Sequence, residues 1–220
     1  MSHAARKSLL RRRGVAGLAG ATLLLAPLAG VAPATAMTTD GDVFISEFHY
    51  DNVGTDVGEA IEVQAPVGTD LTGWQIVLYN GNASSNQVYD TKTLDGVVGQ
   101  AGVIVQDYPT NGIQNGGSAP DGIVLVDGDG TVVEFLSYDG TFTGVGGPAD
   151  GVQSTDIGIT QPSNTPIGQS LQLIGGQWVG PLENTFGERN PDEVPGDPGD
   201  PGDPGEPGEP SDSPVVINEV

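Results

Sequence analysis

Short β-rich runs are cut repeatedly by dipeptides that suit only a tight turn. Asn80-Gly81, Asp127-Gly128-Asp129-Gly130, Asp139-Gly140 and Gly175-Gly176 each place a glycine where the backbone must turn sharply. Glycine accepts positive φ without a steric cost, so such pairs close hairpins. Between them lie runs of strand length: 43–50, 59–64, 74–79, 87–94, 102–106, 122–126, 131–138, 170–174 and 177–179. Ile61 and Val63 alternate with Glu62, the period of a strand with two different faces. The run 74–79 is continuous and apolar, which predicts a central strand or one buried on both sides. No stretch has helical periodicity with caps. The expectation is an all-β domain over 37–190, a β-sandwich with a barrel as the alternative.

The core of such a domain would use Ile45, Phe48, Ile61, Val63, Leu71, Trp74, Ile76, Leu78, Val103, Val105, Val124, Val126, Val133, Phe135, Leu171, Leu173 and Trp178. Trp74 is expected to be a buried ring whose loss costs roughly 3–5 kcal/mol. Cysteine is absent, so no disulfide, zinc-thiolate site or cysteine nucleophile is possible.

Both ends read differently. Arg6, Lys7 and Arg11 to Arg13 precede an apolar stretch, 14–32, and then Ala34-Thr35-Ala36. That order predicts a secretory signal over 1–36, cleaved before Met37; a membrane anchor is the alternative. Without it, Lys92 and Arg189 face all 29 acids, a formal charge of −27. Such a surface repels nucleic acid and anionic lipid and attracts divalent cations. Residues 191–214 carry Gly-Asp-Pro and Gly-Glu-Pro triplets. They predict a disordered, extended, self-repelling linker. Beyond it, 215–220 (Val-Val-Ile-Asn-Glu-Val) echoes 43–48 (Val-Phe-Ile-Ser-Glu-Phe). A second, truncated copy of the domain is expected there, so the chain reads as the front of a longer protein.

The run Ile45-Ser46-Glu47-Phe48-His49-Tyr50-Asp51-Asn52, with Gly54-Thr55-Asp56, Gly58 to Val63 and Asp70 to Trp74, resembles the opening of lamin-tail domains. Ser46 stands where that family usually has Asn, a residue present in the tail copy as Asn218. Thr185-Phe186-Gly187-Glu188-Arg189-Asn190 resembles the family's closing segment in a looser form. The resemblance implies an Ig-like β-sandwich. The variety most similar to this chain precedes the catalytic part of secreted bacterial endonucleases of the endonuclease/exonuclease/phosphatase type. It implies the accessory module of a secreted, extracellular protein; the module is separately expected to be a monomer. Its partners would be downstream domains of the same polypeptide, with no direct nucleic-acid or membrane binding. A calcium-stabilised adhesive repeat of a cell-surface protein is the alternative.

Intrinsic catalysis is not expected. Phosphodiester cleavage needs metal-binding acids, a base and stabilisation of phosphate charge. Only His49 and two basic residues remain after the leader. No Gly-x-Ser-x-Gly elbow supports a hydrolase. Glu59 and Glu62 should sit on opposite faces of their strand, which argues against a glycosidase pair. Calcium is the cofactor candidate. Asp127 and Asp129 resemble half an acidic calcium loop without its bidentate Glu, and a hairpin turn also explains them. Asp51, Asn52, Asp56 and Glu59 offer a second set of oxygen ligands on a Gly-containing loop. Tyr79, Tyr108 and Trp178 are expected at loop tips, available for weak binding.

Overall fold

Among the described residues ten strands form, and nine of them fall where the sequence predicts: β1 (Phe44–His49), β2 (Ala60–Gln64), β3 (Gln75–Asn80), β4 (Gln87–Thr93), β5 (Val103–Asp107), β6 (Asp121–Val126), β7 (Val132–Tyr138), β8 (Thr155–Asp156), β9 (Gln169–Ile174) and β10 (Gln177–Glu183). The computed structural model describes residues 42–82 and 87–191, and these contain no helix. The predicted signal (1–36), the linker apart from Pro191, and the second copy (215–220) lie outside the described residues.

The strands make two five-stranded sheets, ordered β10-β9-β1-β2-β5 and β4-β3-β6-β7-β8. Every pairing is antiparallel except the two-residue β7–β8 pair. That short parallel edge carries no alternation, which is why the sequence does not announce it. Ile45, Phe48, Ile61, Val63 and Leu171 of the first sheet share one core with Ile76, Leu78, Ile123, Leu125, Leu136 and Tyr138 of the second.

Ile45 and Phe48 are three apart, yet both are buried in that core. An ideal strand would send them to opposite faces. The pairing of β1 with β2 slips between Ile45 and Glu47, making Ser46 the extra residue of a bulge. The bulge restores Phe48 to the core and sets Glu47 directly opposite Glu62. It creates the polar surface described below.

The second sheet is buried on both faces. Val77, Tyr79, Val124, Val126 and Phe135 pack with Phe142 and Ala149 into a separate cluster. Alternate residues of β3 and β6 therefore feed two cores, and their runs are continuously apolar for that reason.

Several expected core positions differ. Val133 is 43 % exposed. Trp74, Val105, Leu173 and Trp178 are half-buried. Conversely, Tyr79 and Tyr108, expected at loop tips, are buried. Trp178 is not a free tip either: its ring sits edge-on to Phe48, 5.0 Å between centroids. The Tyr79 hydroxyl finds partners at the rim, donating to the Gly146 carbonyl and accepting from Ala149 N–H, whereas the buried Tyr108 hydroxyl has no hydrogen-bond partner among the described residues.

Candidate functional site

Three polar assemblies surround the cores. The first covers the outer face of the first sheet. Glu47 and Glu62 point away from the core, yet neither is exposed. The segment after β10 lies over them. Thr185 donates its N–H to Glu47 Oε1 at 2.9 Å and its hydroxyl to Oε2 at 2.7 Å. Ser170 Oγ donates to Glu47 Oε1 at 2.5 Å. Glu62 accepts from Ser46 Oγ (2.8 Å) and from Gly187 N–H (2.8 Å). Asn190 Nδ2 donates to the carbonyls of Ser46 and Leu173. A Cβ on Gly102 would collide with the Arg189 guanidinium, so the segment's one cation packs on bare backbone at the head of β5. Burial, aided by Glu47 nearby, raises the Glu62 carboxyl to about 7, against the pull of its two donors. Burial likewise raises Glu134 to about 7; its Oε2 accepts the Ile45 N–H at 2.9 Å.

The second assembly centres on His49 at the end of β1. Gln161 Nε2 donates to His49 Nδ1 at 2.8 Å, and His49 Nε2 faces Asn52 Oδ1 and the Val57 carbonyl, both at 3.2 Å. These partners assign the ring proton to Nε2. Gln161 also joins Tyr50: its N–H donates to the Tyr50 hydroxyl at 2.6 Å, and its Oε1 accepts from Tyr50 N–H. The Tyr50 ring stacks on Tyr138 at 4.1 Å. Loop 51–58 closes on itself, with Asp56 Oδ1 accepting from Asn52 N–H and Asn52 Oδ1 from Val57 N–H.

The third is a cleft of about 430 Å³ lined by Asp56, Asn80, Asn82, Asn111, Ile113, Gln114, Asn115, Gly116, Ser118, Ala119 and Asp121. Loop 111–120 forms one wall and is pinned from below. Glu59 accepts the N–H groups of Gly112 and Ile113, both at 2.8 Å. The Tyr89 hydroxyl accepts from Gln114 N–H, and the Tyr138 hydroxyl donates to the Gln114 carbonyl. Asp121, at the start of β6, accepts from Gly81 and Gly116 N–H. Asn111 adopts φ 55°, a left-handed conformation that asparagine tolerates better than most residues. Its Oδ1 accepts the Asp56 N–H.

The six residues expected to hold calcium separate into two groups. Asp51, Asn52, Asp56 and Glu59 do gather at one corner, and all four are buried. Asp51 is raised to about 6 by burial and by the neighbouring Asp56 carboxyl. Burial also raises Glu59. Asp127 and Asp129 lie at the other end of β6, about 20 Å away at a strand's rise per residue. There Asp127 Oδ1 accepts the N–H groups of Asp129 and Thr131, a self-closed hairpin turn. Among the described residues no three His, Asp or Glu side chains converge as a metal-binding group.

Lys92 pairs with Asp90 at 3.0 Å and lies 5.4 Å from the Tyr108 ring centroid. Sequence reasoning did not find Gln161, Asn115 or Asp121. Gln161 and His49 are 112 residues apart, and no local pattern couples them. Scans against protein-family models, curated proteins and solved structures find no match to this chain.

Proposed function

We propose that this chain is a secreted, non-catalytic module of lamin-tail type with an Ig-like sandwich fold. Residues 1–36 act as its export signal. It serves as the N-terminal accessory or targeting part of a larger extracellular nuclease-type enzyme. The observation that carries the reading is the interlock of the two motif segments. Ser46 and Glu47 of the opening and Thr185, Gly187 and Asn190 of the closing segment bond to one another or share Glu62. Residues that look like a functional signature are thereby fully used in holding the sheet closed.

The chemical inventory supports the same reading. Glu47, Glu59, Glu62 and Asp121 all accept backbone N–H groups. Both nitrogens of His49 face partners of the fold. Neither Lys92 nor Arg189 lines the cleft. A nuclease needs a free base and donors placed for developing phosphate charge. The test is incubation of the purified chain with DNA, RNA and neutral polysaccharides, with magnesium or calcium present. No turnover is expected. Turnover abolished by His49→Ala would overturn the reading.

A calcium-stabilised structural or adhesive repeat is the second reading. It is favoured by the Asp51–Asp56 pair, two buried carboxyls whose mutual repulsion a divalent cation would relieve. Melting in calcium, magnesium and chelator at fixed ionic strength distinguishes the two. A rise specific to calcium supports the repeat, and equal curves support the accessory module.

A further inference from the structure

We propose that the cleft between loop 111–120 and the end of β3 is a binding site for an uncharged glycan. The inference rests on the reading of this chain as a non-catalytic accessory or targeting module and names the ligand class it would target. The cleft, about 430 Å³, falls in the size range of small-ligand sites, roughly 300–1,000 Å³. Its wall is unusual in kind. Side-chain amides dominate it, with no aromatic ring and neither Lys92 nor Arg189.

Three of these amides are half used by the fold. Asn80 Oδ1 accepts from Asn82 N–H, and Asn111 Oδ1 accepts from Asp56 N–H. Asn115 Nδ2 donates to Asp56 Oδ2. The fold thus fixes the orientation of three amides and leaves Asn80 Nδ2, Asn111 Nδ2 and Asn115 Oδ1 as two donors and one acceptor at the cleft. Gln114 adds a side chain that can do either. Hydroxyl groups, which both donate and accept, match such a set.

Charge selects against the other ligands. Asp56 and Asp121 line the cleft, which opposes phosphates and carboxylates. Both oxygens of each aspartate already accept an N–H, from Asn52 and Asn115 for Asp56, and from Gly81 and Gly116 for Asp121. Those donors occupy oxygens that a cation would have to share, so a cation gains less there than at a free carboxylate. An uncharged, hydroxyl-rich ligand remains. Without an aromatic platform its affinity rests on hydrogen bonds exchanged with water, which places the dissociation constant at about 0.1–1 mM.

The experiment is a nitrogen-15 NMR titration of the full chain. The probes are cello-, malto-, xylo- and manno-oligosaccharides, with oligogalacturonate and spermine as charged comparisons. At least one neutral series is expected to shift the backbone amides of 111–118 and the side-chain amides of Asn80 and Asn111. Gln114→Ala, whose side chain holds no other part of the fold, should weaken binding by about tenfold. Ser118→Trp, which fills the cleft from an exposed position, should abolish it; both variants should keep native spectra elsewhere. Shifts with spermine or oligogalacturonate alone, or none with any neutral sugar at about 10 mM, would overturn the glycan site and leave the non-catalytic reading standing. Cleavage of a sugar in the same tubes would overturn that reading instead.

Discussion

Thr185 binds Glu47 twice, through its amide at 2.9 Å and its hydroxyl at 2.7 Å, across 138 residues of chain. The contact joins the first strand to the segment that follows the last. Its consequence is that an outward-facing carboxylate becomes a buried one. A sheet face that alternation alone would leave to solvent is covered by a short polar segment, and Glu47, Glu62 and Asn190 are what hold it there.

Removing Glu47 should therefore be costly despite its place on an outer face. Glu47→Ala strands the buried Ser170 hydroxyl and the Thr185 amide together. An unsatisfied buried donor costs about 1–3 kcal/mol, so the expected loss is about 3 kcal/mol, or roughly 6–12 °C in Tm. Calorimetry checks this. A variant melting within a degree or two of the parent would show the closing segment to be a passenger.

Stability should fall as pH rises. Glu62 and Glu134 titrate near 7 in the fold and start from 4.5 as ordinary glutamates. The folded state thus holds more protons than the unfolded one between those values. The stability from the protonated forms is complete below about pH 4.5 and is lost as pH climbs through about 7. Asp51 adds the same trend between 3.8 and about 6. Melting at constant ionic strength should give a higher Tm at pH 5 than at pH 8. Glu62→Gln should shrink the difference, since the amide can still accept from Gly187 and donate to Ser46. A Tm that rises over this range contradicts the burial of these carboxyls.

Phe48 and Trp74 should exchange the ranks that residue size suggests. Phe48 is fully buried and meets the rings of Tyr50, Tyr138 and Trp178. Phe48→Ala should cost about 3–5 kcal/mol. Trp74 is only half-buried at the entry to β3, so Trp74→Ala should cost less, about 1–2 kcal/mol, rather than unfold the domain. Urea titration of both variants settles the order.

Export makes a separate check on the leader. The chain secreted from its host should begin at Met37, read by N-terminal sequencing or intact mass. Retention of Arg11 to Arg13 in the exported protein would contradict a cleaved signal.

The strands were legible because two local signals agree along this chain. Period-two alternation marks Ile61 and Val63 as inward, and Asp-Gly or Asn-Gly pairs mark where β3 and β7 end. What stayed hidden is non-local. Alternation correctly sets Glu62 opposite Ile61, but nothing near Glu62 says that Gly187 will cover it. The bulge at Ser46 shows only as an off-period Phe48. Acidic spacing alone could not separate Asp127, which closes its own hairpin, from Asp56, which organises a cleft wall. Tyr50 and Tyr138 are absent from the expected core, and their mutual stacking within it is a contact between segments far apart in the chain.

Hydrogen exchange at the amides of Thr185 and Gly187 tests the central claim most directly. Both lie beyond β10, where a trailing segment would exchange freely. The interlock with Glu47 and Glu62 requires them to be protected almost as strongly as the amides of β1 and β9. Exchange at the rate of an open loop would mean that the closing segment is not docked, and the structural role assigned to the opening motif would fall with it.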